Sequence, residues 1–193
     1  MFQIRIHGRG GQGVVSAAEM LSTAAFAEGK HSQAVPSFGS ERTGAPVVAF
    51  CRIDDKEIRL REPILAPDAV IIQDPTLLHQ VDVFSGLHRD GYMLINTTRS
   101  FDELGIGDFI SDFKPEHLCT VPATAIALQH LGRPLPNAVL LGGVAALTGL
   151  ISLQAVEHAI RERFGGRVGE GNARAATEAH EHVLRQLRET EHA

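Results

Sequence analysis

Tryptophan is absent from this sequence, tyrosine occurs once, and cysteine occurs only at positions 51 and 119. Two cysteines without CxxC spacing cannot hold an iron–sulfur cluster by thiolates alone, so any such chemistry must sit on another chain. Nine phenylalanines make up the rest of the aromatic content. That leaves little surface for base stacking, sugar platforms or a membrane-interface belt, and the core must be mainly aliphatic. No apolar run approaches the roughly 20 residues that cross a bilayer, and the opening Met-Phe-Gln-Ile-Arg-Ile-His has no signal-peptide character. The expectation is a cytoplasmic protein with no membrane partner. Basic charge is also in short supply: 18 Lys and Arg against 23 Asp and Glu give a net charge of −5. A general nucleic-acid binder needs clustered cations to neutralise phosphates, so nucleic acid is excluded as the expected partner.

The 193 residues present are 44% hydrophobic and 21% charged, the composition of a folded chain long enough for one sizeable core. No internal repeat or long linker divides it, and a single domain over 1–193 is expected. Phe2, Ile4 and Ile6 alternate with Gln3, Arg5 and His7, which predicts a strand stopping at Gly8. An alanine-rich helix follows over 14–28, ending at Gly29, and a short strand over 31–35. Residues 36–46 hold too many Gly, Pro and Ser for regular structure and read as the longest loop. Segments 47–53 and 56–60 flank Asp54-Asp55 like a hairpin, which makes the sheet mixed. Ala69 to Ile72, continuously apolar, reads as a strand buried on both faces, with a short helix over 76–84. Strands are expected at 92–95 and 118–121 and a helix at 123–131. Three helices follow, capped by Asn137, Ser152 and Asn172, over 138–147, 153–164 and 173–188. Alternating strand and helix signals argue for a Rossmann-like three-layer α/β/α fold with a mainly parallel, mixed sheet and C-terminal helices.

Gly8-x-Gly10-x-x-Gly13 between a strand and a helix has the spacing of a dinucleotide fingerprint, in which glycines let backbone N–H groups approach a phosphate. The fingerprint also needs an acidic residue ending the second strand to hold the ribose, and Lys30 to Val35 offers none. Two readings stay open for Arg9 to Gly13: a site for an anion or a partner, or a tight turn without a ligand. The second loop sets Glu41 and Arg42 between glycines, so conformational freedom and charge occur together. It reads either as an intermolecular contact, with Arg42 as a fork-shaped donor, or as a plain surface loop.

These motifs in order carry a resemblance: Gly8-Arg9-Gly10-Gly11-Gln12-Gly13, then Pro36-Ser37-Phe38-Gly39-Ser40-Glu41-Arg42-Thr43-Gly44, then Pro67-Asp68, Asn96, and Leu131-Gly132-Arg133-Pro134 with Asn137 and Leu141-Gly142. Over nearly its whole length the chain resembles the gamma subunits of pyruvate:ferredoxin and related 2-oxoacid:acceptor oxidoreductases. Thr43 stands where that family often has Arg or Ser, a small departure bearing on one contact. The resemblance implies a subunit of an enzyme that oxidatively decarboxylates a 2-oxoacid to an acyl-CoA and carbon dioxide, reducing ferredoxin or a similar acceptor. It implies thiamine-binding alpha and beta partners that hold thiamine diphosphate and Mg²⁺, an iron–sulfur partner of delta type, and coenzyme A as co-substrate. No cofactor and no catalytic residue are expected on this chain, which would be inactive alone. Arg9, Gly10, Gly11, Gln12, Gly13, Ser37, Glu41 and Arg42 are then the interface or anion-binding candidates. The alternative is a free-standing Rossmann-type nucleotide-binding oxidoreductase.

Other clusters carry less. The ten histidines lack metal-ligand spacing: His180 and His182 point to different faces of a helix, His158 is alone on its own, and no HExxH occurs, so no metal is expected. No GxSxG supports a hydrolase. Asp54, Asp55, Glu57 and Glu62 are explained by a turn with a solvated rim.

Overall fold

The computed structural model describes residues 1–37 and 42–193. Among these, six strands form one sheet in the order β2-β3-β1-β4-β5-β6, comprising β1 (Phe2–Arg9), β2 (His31–Pro36), β3 (Pro46–Asp54), β4 (Ala69–Ile72), β5 (Tyr92–Asn96) and β6 (Leu118–Val121). The helices are α1 (Val14–Ala27), the single turn α2 (Gly107–Ile110), α3 (Ala123–Leu131), α4 (Asn137–Thr148), α5 (Leu153–Phe164) and α6 (Gly166–Glu191). β1, β4, β5 and β6 pair in parallel, whereas β3 runs antiparallel to both β1 and β2. The sheet is therefore mixed and mostly parallel, as the sequence predicts. α1 ends as expected: Glu28 caps it, Gly29 takes φ 80°, and the Lys30 and Gly29 N–H groups close back on Ala25 O and Phe26 O.

The two sheet faces are covered differently. Ile4, Ile6, Ala49, Cys51 and Leu94 pack under α1 and α3 to α6 in one aliphatic core. The other face, with Val70, Ile72, Met93 and Ile95, is covered by a thin layer of short helical turns and loops over 77–113. Where this layer crosses β1 and β3 it is held by buried cations instead of a packed helix. Arg5, 7% exposed, donates to Ile64 O (3.3 Å), Val83 O (2.9 Å) and Ser85 O (2.6 Å). Arg52, 2% exposed, donates to Glu62 O at 2.6 Å and Gln3 Oε1 at 3.0 Å. The polar half of the β1 alternation is thus buried, and its hydrogen bonds pin two loops to the sheet.

α4 is buried on almost every side and lies so close to α6 that a Cβ on Gly142 would sit 1.9 Å from Ala176 O. α6 starts at Gly166, seven residues before the sequence-based start, because Gly169 packs against Arg161 of α5 and Gly171 against Leu131 and His130 of α3, so neither breaks the helix. Asn172 is consequently no cap: it lies inside α6 and donates to Val168 O at 2.9 Å. Ser152 does cap α5, accepting from Ala155 N at 3.1 Å. Residues 56–60 are not a strand, since both edges of β3 are already taken by β1 and β2. The helix expected over 76–84 is a 3₁₀ turn, Pro75–His79, capped by Asp74.

His7, beside Arg5 on β1, is 6% exposed and accepts from Arg5 Nε at 3.0 Å through Nε2. Burial, and then the Arg5 charge, push its pKa from 6.5 to about 3. Between those two values the unfolded chain binds a proton that the folded chain refuses, so stability is complete above 6.5 and falls as pH drops toward 3. The slope is up to about 1.4 kcal/mol per pH unit from this group. Urea unfolding across that window should show this loss in the wild type and a flatter dependence in His7→Gln, which keeps a neutral acceptor; parallel profiles would contradict the assignment.

Candidate functional site

α1 carries the chain from β1 toward β2 on one side, while the segment after β3 crosses to β4 on the other. The carboxyl ends of β1 and β4 therefore flank the point where strand order reverses, the usual place for a ligand crevice in open α/β sheets. The turn Gly8 to Gly13 lies there. Gly11 and Gly13 take φ 90° and 70°, left-handed values that let the chain reverse between β1 and α1.

Much of this turn is already satisfied by protein. Arg9 N–H donates to Gln12 Oε1 at 2.8 Å, Gln12 N–H to Arg9 O at 3.0 Å, and Gly10 N–H to Ala45 O at 2.9 Å. Gly44 N–H returns to Gly10 O at 3.0 Å, so residues 42–45 of the second loop are stitched to the first. Only glycine fits at position 10, because a Cβ there would lie 2.0 Å from Arg42 O. β3 also separates β1 from β2, which moves the ribose-holding position of a dinucleotide fold about 10 Å away from the turn. Both features count against the nucleotide-binding alternative.

Arg9 is a strut. Its guanidinium lies 3.2 Å from Asp74 Oδ2 and donates to Gly44 O (3.0 Å), Thr76 Oγ1 (2.8 Å) and Gln80 Oε1 (2.8 Å). Gln12 Nε2 donates to the same Asp74 Oδ2 at 2.9 Å. Burial alone would raise the Asp74 pKa, but hydrogen bonds from Thr76 and Gln12 and the Arg9 charge outweigh it and hold the carboxyl below its ordinary value.

On the other side of the turn, Gly11, Gln12 and Gly13 border a crevice of about 490 Å³. Leu131, Leu135, Phe164 and Val168 form apolar walls, and Arg133, Asn137 and Asn172 supply polar groups. α1 and α4 both begin at this crevice, and neither has a side-chain cap, so their free N–H groups and positive dipole ends converge on it. Asn137, expected as the α4 cap, is instead its first residue, 7% exposed, with Nδ2 3.3 Å from Gly13 O. The arrangement suits a ligand with an anionic head and an apolar body.

The structure thus brings Arg9 to Gly13 together with the backbone of Arg42. Ser37 sits at the base of the β2–β3 hairpin, its N–H on Val48 O at 3.1 Å, apart from the turn. Glu41 lies outside the described residues. Sequence reasoning missed Gln73, Asp74, Thr76 and Gln80, although the Asp-Pro step after an apolar strand signals a capped turn at a strand's carboxyl end. Among the described residues no group of three or more His, Cys, Asp or Glu could hold a metal ion. Both cysteines are buried, which pushes their thiols up to about 12. Gly10→Ala should fold but lose about 1–3 kcal/mol through this clash and cut faster with trypsin at Arg42. Unchanged melting and digestion would show that the two loops are not joined.

The family model described as pyruvate ferredoxin/flavodoxin oxidoreductase matches residues 3–182. The chain is 51% identical over 183 residues to the pyruvate/ketoisovalerate oxidoreductases common subunit gamma of Pyrococcus abyssi, spanning 94% of this chain and 96% of that one. The crystal structure of pyruvate oxidoreductase subunit PORC from Thermotoga maritima superposes with a TM-score of 0.79 at 40% identity, covering 93% and 95% of the two chains. 2-Oxoglutarate:ferredoxin oxidoreductase from Magnetococcus marinus, solved with 2-oxoglutarate, coenzyme A and succinyl-CoA bound, shares the fold at 18% identity and a TM-score of 0.70. It covers 95% of this chain and 31% of that longer one. From its sequence and its fold alike, this chain belongs to the pyruvate ferredoxin/flavodoxin oxidoreductase family, as the gamma subunit of a 2-oxoacid:ferredoxin oxidoreductase.

Proposed function

We propose that this gamma subunit, a single domain over 1–193, receives the phosphate-bearing end of coenzyme A within the complex while the oxidative decarboxylation proceeds on partner chains. Thiamine-binding alpha and beta subunits with Mg²⁺, and a delta-type iron–sulfur subunit that passes electrons to ferredoxin, complete the assembly. The donor set here fits that division: two buried cysteines with raised thiol pKa values cannot furnish the four thiolates a cluster needs. Unpaired thiols also fit a cytoplasmic setting. Ser37, Glu41 and Arg42, in the loop joined to the glycine turn, are proposed to face the thiamine-binding subunits.

The observation that carries this reading is the crevice itself. Two uncapped helix starts and Arg133 supply positive potential at its mouth, while Leu135, Phe164 and Val168 leave apolar surface exposed inside it. An adenosine-phosphate head with a long pantetheine arm has the matching character, and holding it by one end lets the thiol reach a partner's active site. In an assembled complex carrying Arg133→Ala, viologen reduction with pyruvate should show a KM for coenzyme A raised about tenfold with kcat and the pyruvate KM unchanged, the loss of one charge-assisted contact. An unchanged coenzyme A KM would contradict the reading.

A further inference from the structure

We infer that Gln73 and Asp74, adjacent residues at the carboxyl end of β4, are positioning residues that aim an amide of the glycine turn into the crevice. The inference rests on the reading that this crevice takes coenzyme A phosphates. Gln73 is 2% exposed and its backbone is fixed on both sides: its N–H donates to His7 O at 2.8 Å, and its carbonyl accepts from Asn96 Nδ2 at 2.8 Å. From that base its Nε2 donates to the backbone carbonyl of Gln12 at 3.0 Å.

The Gln12–Gly13 peptide is trans, so its carbonyl and its N–H point in opposite directions. With the carbonyl drawn toward Gln73, the Gly13 N–H is turned away from β4, toward the side on which Gly13 borders the crevice. Asp74 secures the same residue by its other end. Asp74 Oδ2 accepts from Gln12 Nε2 at 2.9 Å while Gln12 Oε1 accepts from Arg9 N–H at 2.8 Å. Gly11 and Gly13 occupy mirror-image regions of backbone space with nearly equal ease, so the turn has little preference of its own for one peptide orientation. The clamp makes the choice.

One further observation separates this role from plain packing. Gln73 Oε1 is a buried side-chain atom with no hydrogen-bond partner among the described residues. Flipping the amide would set Oε1 against the Gln12 carbonyl, acceptor against acceptor, so the orphan oxygen follows from keeping Nε2 where it is. A buried unpaired acceptor destabilises a fold, and methionine would fill nearly the same volume without one. The donor at Nε2 is what glutamine adds.

The test uses the assembled complex, with pyruvate, coenzyme A and a viologen acceptor. Gln73→Met removes one unpaired acceptor, its own Oε1, and frees another, the Gln12 carbonyl, so it should melt close to the wild type, keep kcat and the pyruvate KM, and raise the coenzyme A KM at least about tenfold through the misdirected amide. Asp74→Asn, which retains the shape of the cap, should raise it by a smaller factor. An unchanged coenzyme A KM in assembled Gln73→Met overturns the clamp; if Arg133→Ala raises that KM in the same assay, the crevice reading survives alone, and if neither moves it, both fall. Should Gln73→Met fail to assemble, Asp74→Asn decides by the same criterion.

Discussion

Strand β1 carries an antiparallel ladder to β3 on one edge and a parallel ladder to β4 on the other, and everything around the glycine turn depends on that double pairing. With both edges taken, the chain leaving Arg9 must reverse within the space between β3 and β4. The entry to β3 arrives beside Gly10, which is why residues 42–45 are stitched to the turn. The exit from β4 arrives on the opposite side and supplies Gln73 and Asp74. The same sheet order that inserts β3 between β1 and β2 removes the ribose-holding geometry of a dinucleotide fold, so a familiar glycine spacing serves a different arrangement.

Polar groups do structural duty here that helices perform in many three-layer α/β proteins. Arg5 and Arg52 hold loops across the thinly covered sheet face by donating to backbone carbonyls, and a neutral His7 completes the set. Arg9 repeats the device at the carboxyl edge, tying the turn to the 3₁₀ segment and to Gly44. Each of these cations is consumed by the fold, which leaves Arg133 and the free helix-start amides to give the crevice its positive character. The glycine turn that forms one wall of the crevice is thus held from behind by Arg9 and Asp74, while the ends of α3 and α5 and the starts of α4 and α6 form the other walls.

Much of this was legible in the sequence. Strands such as Ala69–Ile72 and Leu118–Val121 announced themselves through apolar runs bounded by turn residues, and α3 through its periodicity up to Gly132. The turn at Gly8 to Gly13 was legible as a strand-to-helix reversal because its glycines fall between an alternating strand and an alanine-rich helix. Hidden were features that depend on long-range pairing. Lys56 to Leu60 alternates like a strand, yet no free edge of β3 is available to it. Gly166 to Gly171 looks like a helix breaker in one dimension and is a helix-packing surface in three. Arg9 looked like an anion ligand because nothing local reveals Asp74, 65 positions away in the sequence. Residues that position a site from a neighbouring strand leave almost no local signature.

The crevice between the glycine turn, the α3–α4 connection and the start of α6 is the proposed meeting place of this subunit with coenzyme A. Amide hydrogen exchange of the assembled complex, with and without saturating coenzyme A, tests it most directly. Slowed exchange over 11–16 and 137–140, with 56–62 unaffected, is the expected result, since free amides at the starts of α1 and α4 would be covered while the distant loop would not. Unaltered exchange at the starts of α1 and α4 despite turnover in the same preparation would rule out coenzyme A binding at this crevice.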